Sequence, residues 1–162
     1  MTTRVLVYGY GNPGRLDDGL GPALIHDLSA GGGGDHVTLE TGYQLQIEDA
    51  ALVAEHDVVV FADADRAGRE PFALCRIEPR HAAAFTTHAV APEAVLALAH
   101  EHFGGRTTGF VLGIRGYEFE DFGEALSPDA RRNLAAAVDY MDRALRDGMF
   151  AGEAAVTADQ ER

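Results

Sequence analysis

Short apolar runs with the character of buried strands alternate along this chain with longer segments that carry helix signals. The clearest strand is DVVVFADA (57–64), in which four apolar residues in succession precede an alanine and an acid. The longest helix is predicted at 127–147, with Ser127 at the cap position and Pro128 at the first helical position. Such alternation favours a parallel sheet covered by helices. We therefore predict an α/β fold, a three-layer sandwich whose mostly parallel, twisted sheet carries helices on both faces.

The other predicted elements continue this alternation. The apolar patterns predict strands at 4–9, 36–40, 72–79 and 108–119, and helices at 21–30, 47–56 and 92–103. The chain has no internal repeat, and the glycine run at 31–34 is too short to join two domains. We predict a single domain over residues 1–147 and a flexible C-terminal tail over 148–162, where the residues are small and polar.

The composition limits the partners and the chemistry of the chain. The formal net charge is -13, and every basic residue is an arginine. An acidic surface repels phosphate backbones, so we expect no nucleic-acid partner. There is no signal-peptide pattern and no run of roughly 18 apolar residues, so we expect no membrane association and a cytoplasmic location. Cys75 is the single cysteine, which excludes a disulfide within the chain and a zinc site built on several cysteines.

The segment GYGNPG (9–14) has the formal GxGxxG spacing of a dinucleotide-binding loop, directly after a predicted strand. Glu40, which ends the next strand, could serve as the acid that binds a ribose. Against this, Gly14 is followed by RLDDGLG, so the helix begins too late to face a pyrophosphate. Asp17 and Asp18 would also repel that group. A nucleotide-binding accessory module is therefore kept as the alternative interpretation.

Acids and one histidine follow the strands at the points where a parallel sheet binds ligands. Asp17 and Asp18 come after the first strand, and Asp63 ends the strand at 57–64. His88 precedes the helix predicted at 92–103. Two carboxylates and an imidazole that converge on one edge suit nickel, zinc or cobalt. Each residue also has a structural explanation, since an aspartate can cap a helix and a loop histidine can bond to the backbone.

Several of these segments occur together, in the same order, in a family of known activity. They are Gly9-Tyr10-Gly11-Asn12, Asp17-Asp18-Gly19-Leu20-Gly21, Asp63-Ala64 and Thr86-Thr87-His88, together with GYQLQIEDA (42–50) and the stretch that begins GIRGYEFEDFGEALSP. Over roughly residues 4 to 145, the chain resembles the endopeptidases that mature nickel-iron hydrogenases. The ordered set of motifs carries this resemblance, because each motif alone is weak.

The resemblance implies a hydrolase that removes a short C-terminal extension from the precursor of the hydrogenase large subunit after nickel has been inserted. By position, Asp18, Asp63 and His88 are expected to contact the metal. Nickel is expected to come with the substrate, and the protein is expected to be a monomer. We expect Asp18 and Asp63 to be the catalytic residues, and Asn12 and Glu40 to bind substrate. Many members carry glutamate at the position of Asp18, so this chain keeps the acid but shortens it by one methylene.

The resemblance leaves the activation of water open between two mechanisms. In the first, the metal or an acid beside it polarises the scissile carbonyl or activates a water molecule. In the second, one of the two aspartates acts as general base, with its proton affinity raised by the neighbouring carboxylate. The sequence does not decide between these mechanisms.

Overall fold

A computed structural model describes residues 2–31, 33–81 and 90–150 of the chain. The strands in these ranges form one five-stranded sheet in the order β2-β1-β3-β5-β4. β1 pairs in parallel with β2 and β3, β3 pairs in parallel with β5, and β4 runs antiparallel to β5 at one edge. The strands are β1 (Val5–Tyr10), β2 (Val37–Gly42), β3 (Val58–Asp65), β4 (Phe72–Ile77) and β5 (Thr108–Arg115).

Helices cover both faces of this sheet, so the predicted three-layer sandwich is confirmed. The helices α1 and α4 contact each other on one face, and α2 and α3 contact each other on the other face. In the described ranges no helix combines the length and the apolarity needed to cross a membrane. The helices are a 3₁₀ helix (Leu16–Gly19) that leads directly into α1 (Leu20–Ala30), then α2 (Asp49–Ala54), α3 (Pro92–His102) and α4 (Pro128–Asp147).

The central strand β3 explains why an uninterrupted apolar run marks the middle of the sheet. Successive side chains of a strand point to opposite faces, and both faces of this sheet are covered. Val58 and Val60 pack in the core beneath α1 and α4, whereas Val59 and Phe61 pack in the core beneath α2 and α3. Each residue of the run therefore removes apolar surface from water, and none needs to be polar.

The antiparallel strand β4 departs from the simple alternation. The connection from β3 consists of residues 66–71 and contains no helix. A parallel return to the start of the sheet needs a crossover of a dozen or more residues. This connection is too short, so β4 begins at the edge where β3 ends and runs back alongside β5.

The ends of several elements differ from the predicted bounds. β5 ends at Arg115, although the apolar pattern predicted a strand to residue 119, because the backbone amides of Tyr117 and Glu118 bond to a buried acid described below. The ordered chain continues past α4: Phe150 is buried, and its ring centroid lies 5.5 Å from that of Phe110. The rest of the predicted tail, 151–162, lies outside the described residues.

Candidate active site

The carboxyl ends of β1, β3 and β5 meet at one edge of the sheet, and this edge holds two of the predicted site residues. Asp18 lies in the 3₁₀ helix that follows β1, and Asp63 lies near the end of β3. Both side chains are partly exposed, and they are near enough for the charge of Asp18 to raise the pKa of Asp63. His88, the third predicted metal contact, lies outside the described residues. Within the described part of the chain, no three metal-ligating side chains cluster together.

The GYGNPG segment (9–14), which we call the glycine loop, positions Asp18 through backbone hydrogen bonds of the loop. The Asn12 N–H donates to Asp18 Oδ2 at 2.8 Å, and the Gly14 N–H donates to Asn12 Oδ1 at 2.8 Å. Gly11 has φ 140°, and a Cβ there would lie 2.1 Å from the carbonyl oxygen of Asp18. Two amides of the loop thus serve the protein's own side-chain oxygens instead of a phosphate. The nucleotide-binding alternative is not supported by this arrangement.

We predict that Gly11→Ala destabilises the protein and displaces Asp18. Alanine would be strained at this φ, and its methyl group would overlap a backbone oxygen. We expect a loss of about 2–4 kcal/mol in the free energy of unfolding, measured by urea denaturation. The matched control is Gly104→Ala, because Gly104 also has positive φ (67°) but no atom lies within 4 Å of its Cβ position. Equal losses in the two variants would contradict the close approach at Gly11.

Asp17 has a structural role that the sequence did not reveal. Its carboxylate is fully buried and accepts four hydrogen bonds: the N–H groups of Tyr117 (2.8 Å), Glu118 (3.0 Å) and Ser127 (2.8 Å), and the Ser127 hydroxyl (2.7 Å). Burial by itself would raise the pKa of Asp17, but these hydrogen bonds outweigh burial and hold the pKa below its usual value. Asp17 therefore fastens the 3₁₀ helix to the connection between β5 and α4.

Ser127 joins this network to the start of α4. Its Oγ accepts from the Ala130 N–H at 3.3 Å, which is the predicted N-cap interaction, and the same hydroxyl donates to Asp17. Pro128 occupies the first helical position, as predicted. The helix cap and the acid beside the site therefore share one hydroxyl, which ties the orientation of α4 to the position of the 3₁₀ helix.

Asp63 has the titration behaviour of a functional acid. Burial raises its pKa, and the nearby carboxylates of Asp18 and Asp65 raise it further. Hydrogen bonds from the Ala64 N–H (2.8 Å, to Oδ1) and from the Tyr10 hydroxyl oppose this, and the pKa is raised to about 6. Such a group exchanges protons close to neutral pH, as a general base requires. Burial and the charge of Asp63 also raise the pKa of Tyr10, so the hydroxyl stays protonated as a donor.

Two other acids near this edge have different surroundings. Asp65, two residues after Asp63, accepts from the Ala67 N–H at 3.0 Å and so supports the turn after β3. Glu40 lies on β2 in register with Tyr8 of β1, and its side chain is exposed. Its assignment to substrate binding stays a prediction, as does that of Asn12.

A surface cavity of about 310 Å³ opens beside the glycine loop, between the loop and the end of β2. It lies at the same edge of the sheet as the two candidate carboxylates, although neither carboxylate lines it. A larger cavity of about 380 Å³ lies at the opposite, amino-terminal edge of the sheet and is lined by Thr2, His36 and Phe150, far from these acids. The cavity beside the loop is lined by Gly11, Pro13, Pro22, Thr41, Gly42 and Tyr43.

Comparison with known sequences finds a curated relative that matches most of the chain. The chain is 29% identical over 157 residues to the hydrogenase expression/formation protein HupD of Rhizobium leguminosarum bv. viciae. The similarity covers 88% of this chain and 74% of HupD. No family model matches the chain.

Comparison with solved structures finds the same fold in hydrogenase maturation proteases. The [NiFe] hydrogenase maturation protease HycI of Thermococcus kodakarensis KOD1 superposes with a TM-score of 0.70 at 21% identity, covering 89% of this chain and 93% of HycI. The hydrogenase 2 maturation peptidase of a Thaumarchaeota archaeon gives 0.64 at 26%, covering 88% and 97%. HybD of E. coli gives 0.66 at 21%, covering 90% and 93%. These findings confirm the resemblance seen in the sequence: this chain is similar in sequence to a hydrogenase expression/formation protein and similar in fold to nickel-iron hydrogenase maturation proteases.

Proposed function

We propose that this protein is the endopeptidase that removes the C-terminal extension from a nickel-loaded precursor of the hydrogenase large subunit. The observation that carries the proposal is the pair of carboxylates, Asp18 and Asp63, at the carboxyl edge of a sheet whose fold is shared with the maturation proteases. The partner is the precursor, and no nucleic acid or membrane takes part. We further propose that the enzyme acts in the cytoplasm as a monomer.

The donor atoms at this edge suit the nickel that arrives with the substrate. Asp18 and Asp63 each receive a backbone N–H on one oxygen, and a carboxylate keeps further lone pairs for a cation. His88 would add an imidazole nitrogen. Carboxylate and imidazole donors match nickel, zinc or cobalt. Bound there, the nickel of the precursor would supply Lewis-acid polarisation.

We assign the proton transfers to Asp63, whose pKa of about 6 suits exchange with water near neutral pH. The Asp63 carboxylate takes a proton from a water molecule as the water oxygen bonds to the scissile carbonyl carbon. The C–N bond then breaks, and the same proton passes from Asp63 to the leaving amine. Tyr10 holds the Asp63 carboxylate in place by its hydroxyl hydrogen bond, and Asp18 orients the metal-bearing end of the substrate.

The experiment that tests the site is the replacement His88→Ala. We expect at least a 100-fold loss in the rate of precursor cleavage, because an open metal position loses affinity and orientation. The free energy of unfolding should change by less than about 1 kcal/mol, because the sequence predicts His88 in a loop and not in the core. The control is His102→Ala, an exposed histidine in the last turn of α3. Normal cleavage by the His88 variant would remove His88 from the site.

A further inference from the structure

The connection between β5 and α4 is fastened tightly to the glycine loop. We call residues 118–124 of this connection the acidic loop, after its sequence EFEDFGE. The Gly123 N–H donates to the Gly14 carbonyl at 2.8 Å, and the Leu16 N–H donates to the Gly123 carbonyl at 2.8 Å. Further along, the Asp17 N–H donates to the Glu118 carbonyl at 2.9 Å. These bonds hold the acidic loop in a fixed position.

The conformation of Leu16 shows how firmly this pairing is imposed. Leu16 has φ 54°, in the left-handed region that a leucine rarely enters because its Cβ crowds the backbone there. The residue keeps this conformation while its N–H pairs with Gly123 and the adjacent Arg15 forms an isolated parallel bridge with the same glycine. The contacts between the two loops therefore outweigh the local strain.

The fixed acidic loop presents a large aromatic side chain to solvent. Phe122 is 82% exposed, which is more than any other large hydrophobic side chain in the described part of the protein. The Arg15 guanidinium lies over its ring, 5.1 Å from the centroid. Phe119, three residues earlier, is buried beneath Arg66 at 4.3 Å instead. One aromatic ring anchors the acidic loop, and the other is left on the surface with one side covered by an arginine.

Exposed carboxylates flank this ring in the sequence. The acidic loop carries Glu118, Glu120, Asp121 and Glu124, all of which are exposed. Glu120 is paired with Arg66 at 3.4 Å, so part of the charge is compensated, and the remaining acids outnumber the nearby basic groups. A partner that fits this surface would offer an apolar pocket bordered by lysine or arginine side chains.

Phe122 is connected to the candidate site by a short path. Its neighbour Gly123 is bonded to Gly14, Gly14 is bonded to Asn12, and Asn12 is bonded to Asp18, each through a hydrogen bond of 2.8 Å. The acidic loop follows the carboxyl end of β5, so it lies at the same edge of the sheet as the candidate site. A protein that binds Phe122 would therefore contact the edge that carries Asp18.

We propose that Phe122 and the carboxylates of the acidic loop form a docking surface for the folded body of the hydrogenase large-subunit precursor. The occupant is a surface of that precursor with an apolar pocket and a basic rim. The proposal rests on the proposed function and adds to it a contact outside the cleavage site. Docking here would raise the local concentration of the extension at the two catalytic carboxylates.

The test is the concentration dependence of cleavage with the nickel-loaded precursor and the full-length protein. For Phe122→Ala we expect KM to rise about tenfold, with kcat within about twofold of the wild type, because an exposed aromatic anchor contributes to binding and not to the chemistry. The control is Phe103→Ala, a 53% exposed phenylalanine directly after α3. A KM unchanged by Phe122→Ala, or a fall in kcat alone, overturns the docking surface and leaves the proposed function intact.

A second measurement tests the charges of the acidic loop. Raising the salt concentration should raise the KM of the wild type, and the double change Asp121→Asn with Glu124→Gln should flatten that dependence. Glu55→Gln, an exposed acid directly after α2, serves as the charge control and should leave the salt dependence unchanged. Equal salt dependence in all three proteins contradicts the proposed basic rim. Absence of cleavage by the wild type would overturn the proposed function as well.

Discussion

Replacing Asp63 by asparagine is expected to abolish cleavage of the precursor and, at the same time, to stabilise the metal-free protein at about pH 7.5. The Asp63 carboxylate has a pKa of about 6, raised from 3.8 chiefly by burial, so its charged form is disfavoured in the folded state. A neutral asparagine avoids that cost and can still accept from Tyr10 and Ala64. We expect a gain of about 1–3 kcal/mol in the free energy of unfolding.

The gain in the free energy of unfolding from Asp63→Asn should depend on pH in a direction that can be checked. Since folding raises the pKa of Asp63, the protonated acid contributes stability that is complete below about pH 3.8 and is lost as the pH rises through about 6. The advantage of Asp63→Asn should therefore be small at about pH 4 and largest above about pH 7. Urea denaturation between about pH 4 and about pH 7.5 measures this difference in the free energy of unfolding. The control is Asp27→Asn, because Asp27 is exposed. An asparagine variant that still cleaves, or that is less stable than the wild type at about pH 7.5, would contradict the assignment.

The adjacent residues Asp17 and Asp18 are expected to give opposite results on replacement by alanine. Asp17→Ala leaves three backbone N–H groups and the Ser127 hydroxyl without their acceptor, so we expect a loss of about 3–5 kcal/mol in the free energy of unfolding. Asp18→Ala removes one acceptor, that of the Asn12 N–H, and should cost about 1 kcal/mol. The Asp18 variant should nevertheless lose cleavage, because it lacks a metal-contacting carboxylate.

Urea denaturation and precursor cleavage, measured on both variants, separate the two roles. The pKa of Asp17 is lowered on folding, so its contribution to stability is present above its unfolded pKa and is lost as the pH falls through the folded pKa. Asp17→Ala should therefore lower stability at neutral pH and weaken the acid sensitivity of unfolding. Ser127→Ala is the matched partial change, with an expected intermediate loss. If the Asp17 variant were as stable as the wild type but inactive, Asp17 would belong to the site instead.

The sheet and its functional edge could be predicted from the sequence because they depend on local patterns. An uninterrupted apolar strand such as β3 identifies a sheet covered on both faces, and parallel strands bring their carboxyl ends together. The positions of Asp18 after β1 and of Asp63 near the end of β3 are therefore enough to assign both residues to one edge. The antiparallel direction of β4 follows from the short connection between β3 and β4. The apolar pattern of a strand alone does not indicate the direction in which the strand runs.

The role of Asp17 could not be predicted because its partners are distant in the chain. The hydrogen bonds join residues 100 to 110 positions apart, and neighbouring aspartates in a sequence give no sign of which one turns inward. The hydrogen bond between Tyr10 and Asp63 escapes prediction for a similar reason. The GYGNPG pattern assigns Tyr10 to the glycine loop, yet Tyr10 is the last residue of β1. The place of His88 stays a prediction.

The measurement that tests the central claim most directly is the intact mass of the large-subunit precursor after incubation with this protein, with and without prior nickel loading. We expect the loss of a single C-terminal peptide from the nickel-loaded precursor and no change in the nickel-free one. Cleavage of both forms at equal rates would contradict the role of nickel as the recognised part of the substrate. A competent, nickel-loaded precursor that keeps its full mass would contradict the endopeptidase function itself.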